Sequence, residues 1–151
     1  MFGYRAGSEN HKVEGLSTRL KEKQEKIQLI ITKLAEESAK GKPIIVEGKK
    51  DVQALRELGI NGTLLTAKTA GKSFVDVFAE IEKLCTPEVI LLLDFDRRGK
   101  EGTFRLQQDL ERARIKSNMR FWFDLQALVG RDIRCIESLT AYLWTLQEKV
   151  S

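Results

Sequence analysis

Two short acidic stretches hold the residue types best suited to chemistry, Val46-Glu47-Gly48-Lys49-Lys50-Asp51 and Asp94-Phe95-Asp96-Arg97-Arg98-Gly99. Each follows an apolar run that reads as a buried strand, Ile44 to Val46 in one case and Val89 to Leu93 in the other. If those strands are neighbours in a parallel sheet, the carboxylates of Glu47, Asp94 and Asp96 meet at its carboxyl edge, where open α/β sheets hold their ligands. Alternate side chains of an extended chain share a face at a spacing of roughly 6–7 Å, so Asp94 and Asp96 can serve one cluster of hard cations. A few carboxylates plus water and substrate phosphate are what Mg2+ asks for, and Mn2+ accepts the same donors. Two such ions about 4 Å apart stabilise both the attacking and the leaving oxygen of a phosphoryl transfer. Gly48 and Gly99 leave room for a close approach of substrate or backbone. Lys49, Lys50, Lys68, Arg97, Arg98 and Lys100 fall in loops expected to rim the same edge and to hold phosphates; the plain alternative is solvated surface charge. Taken alone, Asp94-x-Asp96 also fits ordinary helix-entry chemistry.

The elements that must position these groups are legible from periodicity. Residues 1–15 read as a flexible tail, which contains the single histidine, His11. Leu16, Leu20, Ile27, Ile31 and Leu34 keep helical spacing and predict an amphipathic helix from Leu16 to Lys40, ended by Gly41. Beyond Pro43 strands and helices alternate. Ile44–Val46 is a strand, Asp51–Leu58 a helix, Asn61-Gly62 a turn, Thr63–Ala67 a strand and Ser73–Cys85 a helix. Val89–Leu93, apolar at every position, predicts a central strand covered on both faces. A helix over Thr103–Arg114, a strand over Met119–Phe123, a short helix over 124–130, a strand over Ile133–Ile136 and a helix over Ser138–Lys149 complete the pattern. Such alternation predicts an α/β fold: a parallel sheet with helices on both faces, over 42–151, plus an N-terminal helical extension over 1–41.

The chain has 151 residues, enough for one ordinary core, and 42% of them are hydrophobic. No apolar run approaches the roughly 18 residues of a membrane span, and the N-terminus shows no signal-peptide pattern. The expectation is a cytoplasmic protein without a membrane partner. Cys85 and Cys135 read as buried free thiols. Net charge is +4; residues 1–42 carry nine basic and six acidic side chains, and the remainder is nearly neutral. That balance leans toward a polyanionic partner. Arg112, Arg114, Lys116 and Arg120 form a second basic stretch that reads as a solvated helix face. Trp122 and Trp144 could bury in the core or against a protein partner or a second copy of the chain.

The joint pattern of hydrophobic strand, Glu47-Gly48, Asp51, and then hydrophobic strand, Asp94-x-Asp96-x-x-Gly99 resembles the Toprim family, the catalytic module of topoisomerases, bacterial-type primases and several nucleases and repair proteins. The resemblance covers roughly Lys42 to Glu137 and is closest to the small stand-alone, primase-like Toprim proteins of prokaryotes. It implies that Glu47 is the general acid or base and a metal ligand, that Asp94 and Asp96 coordinate magnesium, and that Asp51 orients the Glu47 loop. Nothing resembles the tyrosine-bearing domain of a topoisomerase, so a covalent intermediate on Tyr4 or Tyr142 is not expected. The leading expectation is metal-dependent cleavage of RNA or DNA. The alternative is a non-catalytic nucleic-acid-binding or adaptor module whose affinity sits in the N-terminal helix. A third reading, a nucleotide hydrolase, rests on Ala70-Gly71-Lys72-Ser73. It fails at Thr66, where a phosphate-cradling loop needs glycine. Asn61-Gly62-Thr63 matches a glycosylation acceptor and reads as a turn.

Overall fold

In the computed structural model, residues 2–67 and 74–150 are described, with side chains from residue 15 onward and excepting 74 and 75. The predicted alternation appears as α1 (Phe2–Ala39), β1 (Ile44–Val46), α2 (Lys49–Glu57), β2 (Leu64–Thr66), α3 (Phe74–Lys83), β3 (Glu88–Leu92), α4 (Arg97–Arg112), β4 (Lys116–Asn118), α5 (Arg120–Val129) and α6 (Leu139–Val150), the last preceded by a 3-10 turn at Ile136–Ser138. The helix expected from Leu16 extends back to Phe2, through the stretch read as a tail. Gly41, at φ +94°, takes the left-handed conformation that ends it, its N–H reaching back to the Ser38 carbonyl at 3.0 Å.

The four strands are all parallel in the order β2-β1-β3-β4. The two apolar runs that precede the acidic motifs are therefore direct neighbours, with Val46 level with Leu92. Side chains leave opposite faces of a strand alternately, and the core divides accordingly. Ile44, Val46, Ile90 and Leu92 face one layer, built with Ile27, Ile31 and Leu34 of α1, Leu55 of α2, Trp122, Leu125 and Val129 of α5, and Leu139, Leu143 and Leu146 of α6. Ile45, Val89, Leu91 and Leu93 face the other, with Val77 and Ile81 of α3 and Leu106 and Leu110 of α4. The N-terminal helix thus covers the sheet, its second half supplying core side chains.

Two predicted strands are not strands. Met119–Phe123 belongs mostly to α5, where Phe121, Trp122, Leu125 and Val129 are buried at helical spacing; aromatic β-propensity misled where period decides. Ile133–Ile136 is irregular chain running into the 3-10 turn, with Ile133 and Ile136 both buried. The last strand is instead the short polar β4 at the sheet edge. Helix α4 starts six residues before the expected Thr103, because Asp96 caps it. Trp122 is buried and Trp144 exposed. Both cysteines are free, but neither is fully buried: Cys85 is exposed and Cys135 half-buried. No described helix is long and apolar enough to cross a membrane.

Candidate metal centre

Glu47 leaves β1 and Asp94 leaves β3 at the same rim of the sheet, because the strands are parallel and adjacent. The two carboxylates line one open pocket of about 260 Å3 together with Gly48, Asp51, Cys135 and Glu137. Glu47 is buried, and its Oε1 makes a long 3.4 Å contact with the backbone N–H of Asp94. Two successive strand exits are thereby tied at the atoms that deliver their acids.

Asp51 is the structural pivot of this pocket. It sits at the third position of α2 and is buried, with Oδ2 accepting from the Gly48 N–H at 3.0 Å and Oδ1 from the Glu137 N–H at 2.8 Å. The first bond is half of a capping box. The second joins residues 86 positions apart and brings Glu137 to the pocket. Burial pushes the Asp51 carboxyl above its ordinary range, against the pull of the two amides, and the charges of Glu137 and Glu47 push the same way. Negative charge is therefore concentrated here. Asp51, Cys135 and Glu137 place one potential ligand atom each within 4.8 Å of one another. Burial raises the Cys135 thiol as well.

Asp96 is not among the residues lining the pocket. It is the N-cap of α4, with Oδ1 accepting from the Gly99 N–H at 2.7 Å, as the helix-entry reading of Asp94-x-Asp96 anticipates. Capping occupies one of its two oxygens. The two glycines differ in kind. A Cβ on Gly99 would lie 2.1 Å from the Asp94 carbonyl oxygen and 2.8 Å from the Asp94 Cβ, so α4 starts pressed against Asp94 and only glycine fits. Among the described residues, a Cβ on Gly48 would meet nothing within 4 Å, and its φ of −149° is open to any residue.

Of the predicted phosphate-holding side chains, Lys49 and Lys50 are exposed in the first turn of α2, and Arg98 and Lys100 in that of α4. Arg97 is exposed and ion-paired to Glu101 at 3.2 Å. Lys68 and the stretch Ala70–Ser73 lie outside the described residues. Arg112 and Arg120 pair with Asp109 and Asp124 on their own helices, and Lys116 with Glu88. Lys116 and Arg120 also line a hollow of about 770 Å3 between α1, β4 and α5, with acids and bases mixed.

Glu137 and Cys135 were missed from the sequence. Their only local signal is the acid in a short Cys-Ile-Glu-Ser turn, and the Asp51 bond that recruits them is non-local.

The model of the Toprim domain matches residues 41–119. A UPF0292 protein of Methanocaldococcus jannaschii is 39% identical over 120 residues, covering 79% of this chain and 91% of that protein. A UPF0292 protein of Methanosarcina acetivorans is 34% identical, with 83% and 85% covered, and one of Pyrococcus furiosus 36% identical, with 78% and 84% covered. Among solved structures, a putative protein from Aquifex aeolicus superposes with a TM-score of 0.61 at 28% identity, covering 72% of this chain and 94% of that one.

Proposed function

The chain belongs to the Toprim family, and we propose that it is a Mg2+- or Mn2+-dependent enzyme that cleaves phosphodiester bonds of RNA or DNA. The observation that carries this reading is the shared pocket of Glu47 and Asp94 at adjacent strand ends. Toprim domains in general bind Mg2+ through acidic residues, and the donors here are hard oxygens of the right kind. Glu47, Asp94 and the second oxygen of Asp96 would hold the ion. When bound, it supplies Lewis-acid stabilisation of the charge that builds on a phosphate in transfer.

The remaining steps belong to side chains of this chain. Glu47, buried beside the substrate approach, accepts the proton of the attacking water as its oxygen bonds to phosphorus and the ester P–O bond breaks. The leaving oxygen takes a proton from solvent. Lys49, Lys50, Arg98 and Lys100, exposed on the first turns of α2 and α4, hold the backbone by charge. Gly48 adds support. Nothing in the fold demands glycine there, and a substrate strand passing over Glu47 would.

Incubating labelled single- and double-stranded RNA and DNA with Mg2+ or Mn2+ tests the reading. Metal-dependent products from at least one of the four are expected, lost on Glu47→Gln and on Asp94→Asn. Cleavage that survives both substitutions together rules it out. The non-catalytic alternative placed affinity in the N-terminal helix, but Ile27, Ile31 and Leu34 are core residues. Removing residues 1–41 would therefore strip the core rather than isolate a binding element.

A further inference from the structure

Asp94 and Phe95 are consecutive in the irregular chain that follows β3. Asp94 lines the acidic pocket, whereas Phe95 lines a separate hollow of about 540 Å3. That volume falls within the roughly 300–1,000 Å3 of small-ligand sites. Its wall includes Lys100, Phe123, Gln126 and Arg131 and no acid. Neither Lys100 nor Arg131 has an ion-pair partner among the described residues, unlike the neighbouring Arg97.

The aromatic part of this wall is braced. Phe123 is 48% exposed, yet its ring meets the Trp122 ring edge-on at 5.1 Å and 71°. Phe104, 44% exposed and one helical turn beyond Lys100, meets the same Trp122 at 6.1 Å and 85°. Trp122 is buried and donates from Nε1 to the Leu93 carbonyl at 2.9 Å. The exposed rings are thus held, through one indole, to the residue before Asp94. A rigid exposed aromatic with two cations and a side-chain amide beside it is complementary to a flat, hydrogen-bonding π-system that carries a phosphate.

We infer that this hollow seats an unpaired base of a single-stranded nucleic acid, stacked on Phe123, with Lys100 and Arg131 on the flanking phosphates. The inference rests on the cleavage reading above and names its substrate class. A duplex keeps its bases stacked inside and cannot use the platform, so the enzyme prefers single strands or frayed ends.

The test measures binding of labelled 12-nucleotide single strands and of a 12-base-pair hairpin closed by a non-nucleotide linker, which leaves no unpaired base, by fluorescence anisotropy in EDTA, where no cleavage occurs. Loss of one base-stacking contact is worth about 5- to 100-fold in affinity. Phe123→Ala is expected to weaken single-strand binding by that factor and leave hairpin binding unchanged. Phe123→Trp is expected to restore it. Lys100→Ala and Arg131→Ala should each lower the salt dependence of single-strand binding by about one counterion. Phe123 is half exposed, so circular dichroism should show its variants folded. If the wild type cleaves or binds nucleic acid and Phe123→Ala changes nothing, or weakens single strand and hairpin alike, stacking is overturned and the cleavage reading stands. If the wild type neither cleaves nor binds any strand, both fall together. If Phe123→Ala instead converts a dimer to a monomer in sedimentation with single-strand affinity intact, the face belongs to a second copy and the inference is wrong.

Discussion

The two rims of the sheet both carry carboxylates, and the partners described for them differ. At the rim where the strands begin, Glu37 and Glu88 are matched by ammonium groups. Lys42 pairs with Glu37 and lies 3.3 Å from Glu88, and Lys116 lies 3.7 Å from the other oxygen of Glu88. At the rim where the strands end, the hydrogen bonds described for Asp51 and Asp96 come from the backbone amides of Gly48, Glu137 and Gly99, and the Asp94 amide is one donor to Glu47. An ammonium partner neutralises a carboxylate; an amide only aims it. The titration directions follow. Hydrogen bonding from Lys42 pulls the Glu37 carboxyl below its ordinary value, while burial and neighbouring acids push Asp51 above its own. One rim neutralises its acids with ammonium groups, and the other aims Asp51 and Asp96 through the backbone.

The largest effect that can break this comparison is on chemistry. Glu47→Gln should lower cleavage by about 10^2- to 10^4-fold, whereas Glu88→Gln, at the opposite rim, should leave the rate within about twofold. Equal losses in a cleavage assay would show that the rims do not differ.

The glycines sharpen it next. Gly99→Ala must displace Asp94 and should cost about 1–3 kcal/mol in urea unfolding, with Mg2+ binding by calorimetry weakened in parallel. Gly48→Ala should leave stability within about 0.5 kcal/mol and weaken substrate affinity alone. A Gly48→Ala protein that unfolds early would remove the argument for open substrate space.

Asp51→Ala leaves two amides without an acceptor, a loss of about 1–3 kcal/mol for each that stays buried, and should also loosen Glu137 from the pocket. Asp51→Asn keeps an acceptor for one of the two and should lose less. Chemical denaturation separates the two variants.

The pH dependences should have opposite signs. Raised in the fold above its ordinary 3.8, Asp51 holds its proton longer folded than unfolded. Its contribution to stability therefore falls as pH rises from 3.8 through the folded value, and Asp51→Asn should abolish that slope. Glu37 is lowered from its ordinary 4.5, so its contribution is present above that value and lost as pH falls through the folded value. Lys42→Met should flatten this second slope, which is weak and screened by salt because the pair is partly solvated. Smallest of all, Arg97→Ala breaks an exposed pair with Glu101 and should shift stability by no more than about 0.5 kcal/mol.

Much of this molecule could be read before folding it, for a reason visible in particular segments. Val89–Leu93 is apolar at every position because both faces of β3 are covered, so its interior place was legible. β4 was not: Lys116–Asn118 lies at the edge and is polar, and three half-solvated residues carry no periodic signal. Phe121 and Trp122 favour a strand by residue type, but Leu125 and Val129 complete a helical stripe that outweighs it. Glu47 and Asp94 were legible as strand-exit acids. Asp96 sat in a pattern that serves both a ligand and a cap, and its 2.7 Å bond to Gly99 makes the cap part of its role.

The sequence by itself determined which acids leave which strands, because apolar runs, helix periods and capping residues act over a few neighbouring positions. Only the tertiary structure decided that β1 lies beside β3, that Asp51 reaches the amide of Glu137, and that Trp122 donates to the Leu93 carbonyl just after β3. Those contacts join residues tens of positions apart. They depend on how two core layers close over one sheet, a choice made by the burial of the whole chain and written in no short segment of it.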